Sequence, residues 1–485
     1  MEGTKESIRK QIVVVGAGIS GLSAAYYLQK AVAEQNLQAD IILAEAGEHI
    51  GGKIKTDYVE DFVIEGGPDC FLRQKPWAYQ LAKELGIETG VIGTNDERRK
   101  TFVLDKQKLV PLPDGVMLII PTKIKPFLFS PLFSWPGKLR MGLDLLIPKF
   151  VGDEDESIGQ FVRRRLGKEA LEKLAEPLLS GIHVSDPEKQ SLLATFPRFR
   201  NLEKKHGSLI MGMLAAKRHP APAPSSNGQP KSLFLSFKEG MGYFVQQLEL
   251  SLNKTTILKN KKLLKLTPGV QHRYQLIFED KTEVQADAVV LAVPSFAAAE
   301  ILSDFSDDLY NDLLAIPYVS TATISLAYPK SAFPKGLEGF GFLVPRTENR
   351  QITACTWSSI KFNHRANEEH ILMRCFIGGP GKEEQVDWND AAVRNVIQSE
   401  LKDLLGITAA PLFMKIYRWE KANPQYEVGH LNLVKQIKQL VSEKAPYVYL
   451  AGSAFEGVGI PDCVRQGKES ALSLITALFE TEVLQ

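Results

Sequence analysis

Apolar and polar positions along the chain alternate between short buried β runs and helical stripes. Gln11-Ile12-Val13-Val14-Val15 is β-branched and predicts a buried strand. A glycine turn follows, and Leu22-Ser23-Ala24-Ala25-Tyr26-Tyr27-Leu28 takes up a helical pattern. A second strand is predicted at Asp40-Ile41-Ile42-Leu43-Ala44-Glu45. A third buried run is Ala286-Asp287-Ala288-Val289-Val290-Leu291-Ala292-Val293-Pro294. Ahead of it, residues 262–266, with Leu263, and 274–278 suggest an inserted β-meander. A fourth run, 447–452, leads into a helix with Val464, Leu472, Ile475 and Leu478 on one apolar stripe. Residues 301–414 alternate β-rich runs (321–327, 351–357 and 370–376) with turns and one later helix, the pattern of an antiparallel sheet.

The first turn carries candidate chemistry. Gly16-Ala17-Gly18-Ile19-Ser20-Gly21 lies between a strand and a helix, the context in which a G-x-G-x-x-G match points to a dinucleotide. Gly16 permits the tight turn, Gly18 lets backbone approach a pyrophosphate, and Gly21 lets helix pack on strand. Free N–H groups and the positive dipole end of the helix face the phosphates. Glu45, 24 residues after Gly21, can accept hydrogen bonds from ribose hydroxyls and would repel a 2′-phosphate.

The turn alone leaves FAD and NAD open. The run Glu45-Ala46, Gly51-Gly52-Lys53 and Glu65-Gly66-Gly67-Pro68-Asp69 resembles the amine-oxidase-like flavoproteins, where the second glycine pair passes near the flavin end of FAD. FAD is therefore the expected cofactor. Near the other end, Gly452 closes a strand, and Val458-Gly459-Ile460-Pro461-Asp462 opens a helix with Pro461 at the first helical position. Backbone N–H groups of Val458, Gly459 and Ile460 would stabilise the negative charge that a reduced flavin carries around N1 and C2.

Size and composition narrow the class. At 485 residues the chain is expected to form two or three domains, and a net charge of +1 argues against chain-wide attraction to nucleic acid or acidic membranes. Cys70, Cys355, Cys375 and Cys463 are scattered and read as free thiols, and the eight histidines show no metal-ligand spacing, so no metal is expected. His183 and His206 read as structural. The polar opening residues and the lack of an apolar run near ~20 residues point to the cytoplasm. The aromatic, lysine-flanked stretch from Ile120 through Phe127, Phe129, Phe133 and Trp135 suits core packing, a membrane surface or an apolar channel. Stable anchoring is not favoured. Residues 219–228 read as a proline- and serine-rich crossover.

Several further motifs extend over essentially the whole chain. They are Glu65 to Leu72, Glu176-Pro177-Leu178-Leu179-Ser180-Gly181-Ile182-His183, Thr353-Ala354-Cys355-Thr356-Trp357, Arg418-Trp419 with Pro424-Gln425-Tyr426, and Phe455 to Cys463. In this order and spacing they resemble the oxygen-dependent porphyrinogen oxidases of haem biosynthesis, most closely the soluble Gram-positive type. The resemblance implies an α/β protein in three parts. These are a discontinuous Rossmann-like FAD-binding domain (1–72, 228–300, 415–485), a β-rich substrate-binding domain (73–95, 196–227, 301–414) and a helical lobe (96–195). It implies six-electron oxidation of a porphyrinogen, expected to be coproporphyrinogen III, in three rounds of hydride transfer to flavin N5 and reoxidation by O2. Protoporphyrinogen IX oxidation, amine oxidation, carotenoid desaturation and non-catalytic flavin binding stay open. It implies substrate contacts at Lys75, Gly181, His183 and Phe376, and cofactor contacts at Gly16 to Gly21, Glu45, Ala46, Gly52, Lys53, Gly66 to Cys70, Leu263, Trp419, Gly452 and Val458 to Ile460. It leaves room for a transient contact with the next haem-pathway enzyme. The family commonly has serine where Cys70 stands; a thiol is a weaker donor, so only a backbone contact is expected there.

Overall fold

The computed structural model describes residues 9–117, 120–121, 123–218 and 230–480. The proline-rich crossover expected at 219–228 lies outside them. The fold is mixed α/β. Its first layer is a five-stranded sheet in the order Thr255–Leu258, Ala39–Ala44, Lys10–Val15, Ala288–Leu291, Val448–Leu450. All four pairings are parallel. Such a sheet is covered on both faces, which is why its strands read as continuous apolar runs. Helices Ile19–Glu34 and Ile460–Ile475 pack together on one face, so closely that a Cβ on Gly467 would stand 2.3 Å from the Ser20 carbonyl. The meander Leu263–Pro268, Tyr274–Phe278 and Glu283–Ala286 forms its own antiparallel sheet over the other face. In the last helix Val464 and Ile475 are buried as expected, but Leu472 is 42% exposed and leaves the stripe. The helix begins at Ile460, which places Pro461 at its second position.

The second layer is a seven-stranded sheet in the order Phe413–Pro424, Tyr318–Pro329, His370–Gly378, Ala354–Trp357, Gly341–Leu343, Thr101–Asp105, Lys108–Pro111. It is antiparallel except where Gly341–Leu343 runs parallel to Thr101–Asp105. Three expected boundaries change. Residues 101–111, assigned to the helical lobe, form a hairpin in this sheet; its turn uses Lys106 and Gln107 at positive φ, without the Asn-Gly or Gly signal that would announce it. Phe413–Pro424, assigned to the FAD part, pairs along Tyr318–Pro329 instead. Helices Pro197–His206 and Leu209–Arg218, assigned to the substrate part, bury Phe199, Leu209 and Met213 with Phe161, Leu174 and Leu179, so they complete the helical lobe.

Candidate functional site

The glycine turn is tight because nothing larger fits. Gly16 has φ +94°, and a Cβ there would stand 2.6 Å from the Ala292 carbonyl. A Cβ on Gly21 would come within 1.8 Å of the Gly16 carbonyl. Gly18 instead opens onto space, with nothing within 4 Å, and caps Ile19–Glu34 without a side-chain hydrogen bond. Ile19 and Ser20, both buried, begin that helix, so its first N–H groups are available to an anion.

Glu45 closes one side. One carboxylate oxygen accepts the Ala17 N–H at 2.7 Å and the other the Gly47 N–H at 2.9 Å. A carboxylate has about four lone-pair sites, so ribose hydroxyls can share it. Ala46 is exposed beside it. Leu263 lies close by through its segment, since Lys261 donates its N–H to the Glu45 carbonyl at 2.8 Å, but its side chain belongs to the core under the meander.

The second glycine pair sits elsewhere than expected. Gly51 donates its N–H to the Ala17 carbonyl at 2.8 Å and bridges Gly18, and a Cβ on Gly52 would be 3.2 Å from the Gly18 Cα. Positive φ at Gly51 and Gly52 folds this pair back onto the first turn, beside the phosphate position rather than at a distant flavin end. Lys53 then crosses to the C-terminal part, donating to the Ala422 carbonyl and to Ser453 Oγ at 3.2 Å, and burial pulls its pKa down.

Residues 66–70 are clamped through their carbonyls. Gly66 accepts from Thr323 Oγ1 at 2.6 Å and Trp419 Nε1 at 2.9 Å, Gly67 from Arg374 at 2.7 Å, and Asp69 from Ser236 Oγ at 2.7 Å. A trans peptide sets each N–H opposite its carbonyl, so the N–H groups of Gly67 and Cys70 point away from these clamps; Pro68 has none. A Cβ on Gly67 would lie 1.8 Å from the Lys53 carbonyl, and one on Gly66 would enter the Tyr417 ring.

The Asp69 side chain anchors a charge cluster. Burial works against its carboxylate, but Lys361 at 2.8 Å and Arg374 at 3.6 Å hold it well below the usual carboxylate range. The Cys70 thiol donates to Asp69 at 3.0 Å; burial and then Asp69 push its pKa up to about 12. Its side chain is thus committed away from any ligand. Lys361, Arg374 and the Thr323 hydroxyl were missed as site residues. Arg374 is a charge inside the apolar run His370 to Phe376, and that rarity was the available signal.

The C-terminal wall begins at Gly452, φ +141°, whose N–H donates to Gln466. The loop beyond it hangs on Tyr426, whose hydroxyl donates to the Ser453 carbonyl at 2.7 Å and accepts the Gly457 N–H at 2.8 Å. Gly459 caps Ile460–Ile475 without a side-chain bond, with Val458 39% exposed just ahead. Two uncapped helix starts, one open glycine and one carboxylate make a cradle that suits an extended dinucleotide.

The expected substrate residues are only partly gathered. Lys75 pairs with Asp462 in the first turn of the C-terminal helix at 2.5 Å, so its charge is already shared. Phe376 lies opposite Thr323 and Ala354 in the large sheet, with the Arg374 guanidinium 4.9 Å from its ring centre. Gly181 packs on the same sheet, where a Cβ would stand 2.7 Å from Leu343. His183 ends helix Glu176–His183, and its side chain lies outside the described residues. Cys355 and Cys375, distant in sequence, face each other on neighbouring strands with sulfurs 3.6 Å apart, and all four cysteines are free. Among the described residues there is no cluster of three His, Cys, Asp or Glu side chains able to hold a metal, and no helix is long and apolar enough to cross a membrane.

Known proteins match this arrangement. The family of flavin containing amine oxidoreductases matches residues 19–475. The coproporphyrinogen III oxidase of Bacillus subtilis is 37% identical over 97% of this chain and 99% of its own length. That of Staphylococcus aureus is 34% identical over 97% and 100%. A solved protein from Exiguobacterium sp. 255-15, provisionally named a protoporphyrinogen oxidase, superposes with a TM-score of 0.85 at 33% identity, covering 96% of this chain and 98% of that one. The chain belongs to the flavin containing amine oxidoreductases, and it is an FAD-dependent enzyme whose two ends share one cofactor site.

Proposed function

We propose that the protein oxidises coproporphyrinogen III to coproporphyrin III in haem biosynthesis, in the cytoplasm. The full-length likeness to bacterial enzymes of that name carries the reading: identities of 33–37% exceed the 30–31% of the rice and Arabidopsis chloroplast protoporphyrinogen oxidases. Bound FAD supplies a two-electron acceptor that passes its electrons to O2, so three O2 become three H2O2 for six hydrogens removed.

The chain's own residues bind and orient. N–H groups of the turn Gly16 to Gly21 take the pyrophosphate, with Gly52 and Lys53 backing the turn, and Glu45 takes the ribose. The clamped N–H groups of Gly67 and Cys70, and the helix start at Val458 to Ile460, are fixed donors for the isoalloxazine, where reduction leaves negative charge. Phe376 and Gly181 flank the macrocycle. Lys75, shared with Asp462, stands at the rim between substrate and cofactor. The three-part division holds with residues 101–111 and 413–424 moved to the substrate sheet and 197–218 to the helical lobe. Product passes by transient contact to the enzyme that follows in the pathway.

Anaerobic mixing with coproporphyrinogen III tests the reading: the flavin absorbance bleaches, and admitting air yields porphyrin fluorescence and peroxide. No bleaching with any porphyrinogen overturns it, whereas faster bleaching with protoporphyrinogen IX replaces only the substrate.

A further inference from the structure

The aromatic stretch that begins the helical lobe has two faces. Phe127, Leu132, Phe133 and Met141 are buried in the lobe's core. The opposite face is bare. Of 19 exposed large hydrophobic side chains among the described residues, eight fall between Leu128 and Val151. Phe129 is 83% exposed, Trp135 65%, Leu139 72%, Leu146 78% and Val151 88%. Isolated exposed apolar residues need no explanation, but such a concentration marks a contact surface.

Charge says what it contacts. Residues 123–152 contain Lys123, Lys125, Lys138, Arg140 and Lys149 against one acid, Asp144. Asp144 is fully buried against Arg165, so the stretch exposes no carboxylate. Lys123, Lys125 and Lys149 are exposed, and the Lys138 ammonium lies 4.7 Å from the centre of the Trp135 ring. The whole chain carries only +1, so this surplus is local.

We propose that this face docks the protein on anionic phospholipid headgroups. The short helices Ile124–Phe129 and Trp135–Gly142 present Phe129, Trp135 and Leu139 to the headgroup–acyl boundary, with the lysines at the phosphates. A protein partner fits less well, because lysine is depleted from protein–protein interface cores and this face offers no acidic rim. The contact is peripheral, consistent with the lack of a spanning helix among the described residues. It stands independently of the substrate.

Sedimentation of the FAD-loaded, full-length protein with vesicles tests it. Vesicles of three parts phosphatidylcholine to one of phosphatidylglycerol bind the protein, added salt releases it, and phosphatidylcholine alone binds it weakly. Partitioning falls about a hundredfold in K123Q/K125Q/K149Q, from three lysines near an anionic surface. It falls at least about tenfold in F129S/W135S/L146S. Because every substituted side chain is exposed, flavin content and melting temperature report that both variants are folded. Brominated lipid quenches part of the tryptophan fluorescence, and W135F removes that part. Absence of vesicle binding, or unchanged binding in both variants, overturns the proposal. So does a concentration-dependent dimer without vesicle binding that the apolar variant abolishes, which would make the face a contact between copies. Loss of flavin bleaching by porphyrinogen in vesicle-free buffer in the apolar variant would reassign the face to substrate entry, and also overturns it.

Discussion

Two buried charge clusters in this protein are built to different standards. In the helical lobe, Arg165 is fully buried and every donor is used. Nε bonds Asp144 at 2.6 Å, and the two terminal nitrogens reach the carbonyls of Ile147, Pro148, Asp144 and Gly207. Asp144 in turn accepts from Ser208 and the Ile210 N–H. Around residues 65–70, by contrast, the Nε atoms of Arg365 and Arg374 are buried without a hydrogen-bond partner. Three cations, Lys361, Arg365 and Arg374, surround two carboxylates, Glu65 and Asp69. The lobe cluster is closed on itself and serves architecture. The other leaves a positive surplus beside the segment that faces the cofactor, where each unsatisfied donor calls for a functional explanation.

The sharpest break of this contrast is Arg165→Met. It strands Asp144 in the lobe and should cost about 3–5 kcal/mol in chemical denaturation, with flavin binding affected only through lost fold. Lys361→Met should cost less, about 2–3 kcal/mol, because Arg374 still faces Asp69. Here the flavin's midpoint potential should fall as well, an effect absent from folded lobe variants. The acid dependence distinguishes them further. Asp69 has a depressed folded pKa, so its contribution is present above the unfolded aspartate value of about 3.9 and is lost as pH falls through the folded value. The deficit of Lys361→Met should therefore shrink as acid removes the wild-type contribution.

Tyr426→Phe leaves the Gly457 N–H and the Ser453 carbonyl without their shared hydroxyl, for about 1–2 kcal/mol in melting experiments and faster flavin loss. Glu45→Gln should weaken FAD retention by about fivefold, roughly 1 kcal/mol, measured by ultrafiltration and flavin absorbance. Smallest of all, Cys70 should resist alkylation at pH 8, since its thiol titrates only near 12.

The parallel sheet was legible because burial on both faces writes itself as unbroken apolar runs, and the glycine turn because its backbone admits no side chain. The large sheet was legible in its long strands alone. Thr101–Asp105 and Lys108–Pro111 lack a turn signature, and Phe413–Pro424 mixes charges into a strand that lies at the sheet's edge. Gly51 and Gly52 were recognisable as cofactor residues, yet their direction depended on positive φ values that residue identity does not fix. The Asp69 cluster draws on residues nearly three hundred positions apart, whose meeting only the tertiary fold decides.

The cofactor sheet also sets an order of events during synthesis. Its strands come from Lys10–Val15 at one extreme and Val448–Leu450 at the other, and the helix from Ile460 packs on the helix from Ile19. A nascent chain therefore carries the glycine turn through most of translation with no second wall to meet it. Flavin capture becomes a late, chain-completing step, and premature termination anywhere before the last helix leaves a polypeptide with a recognisable dinucleotide motif and no place to keep the dinucleotide.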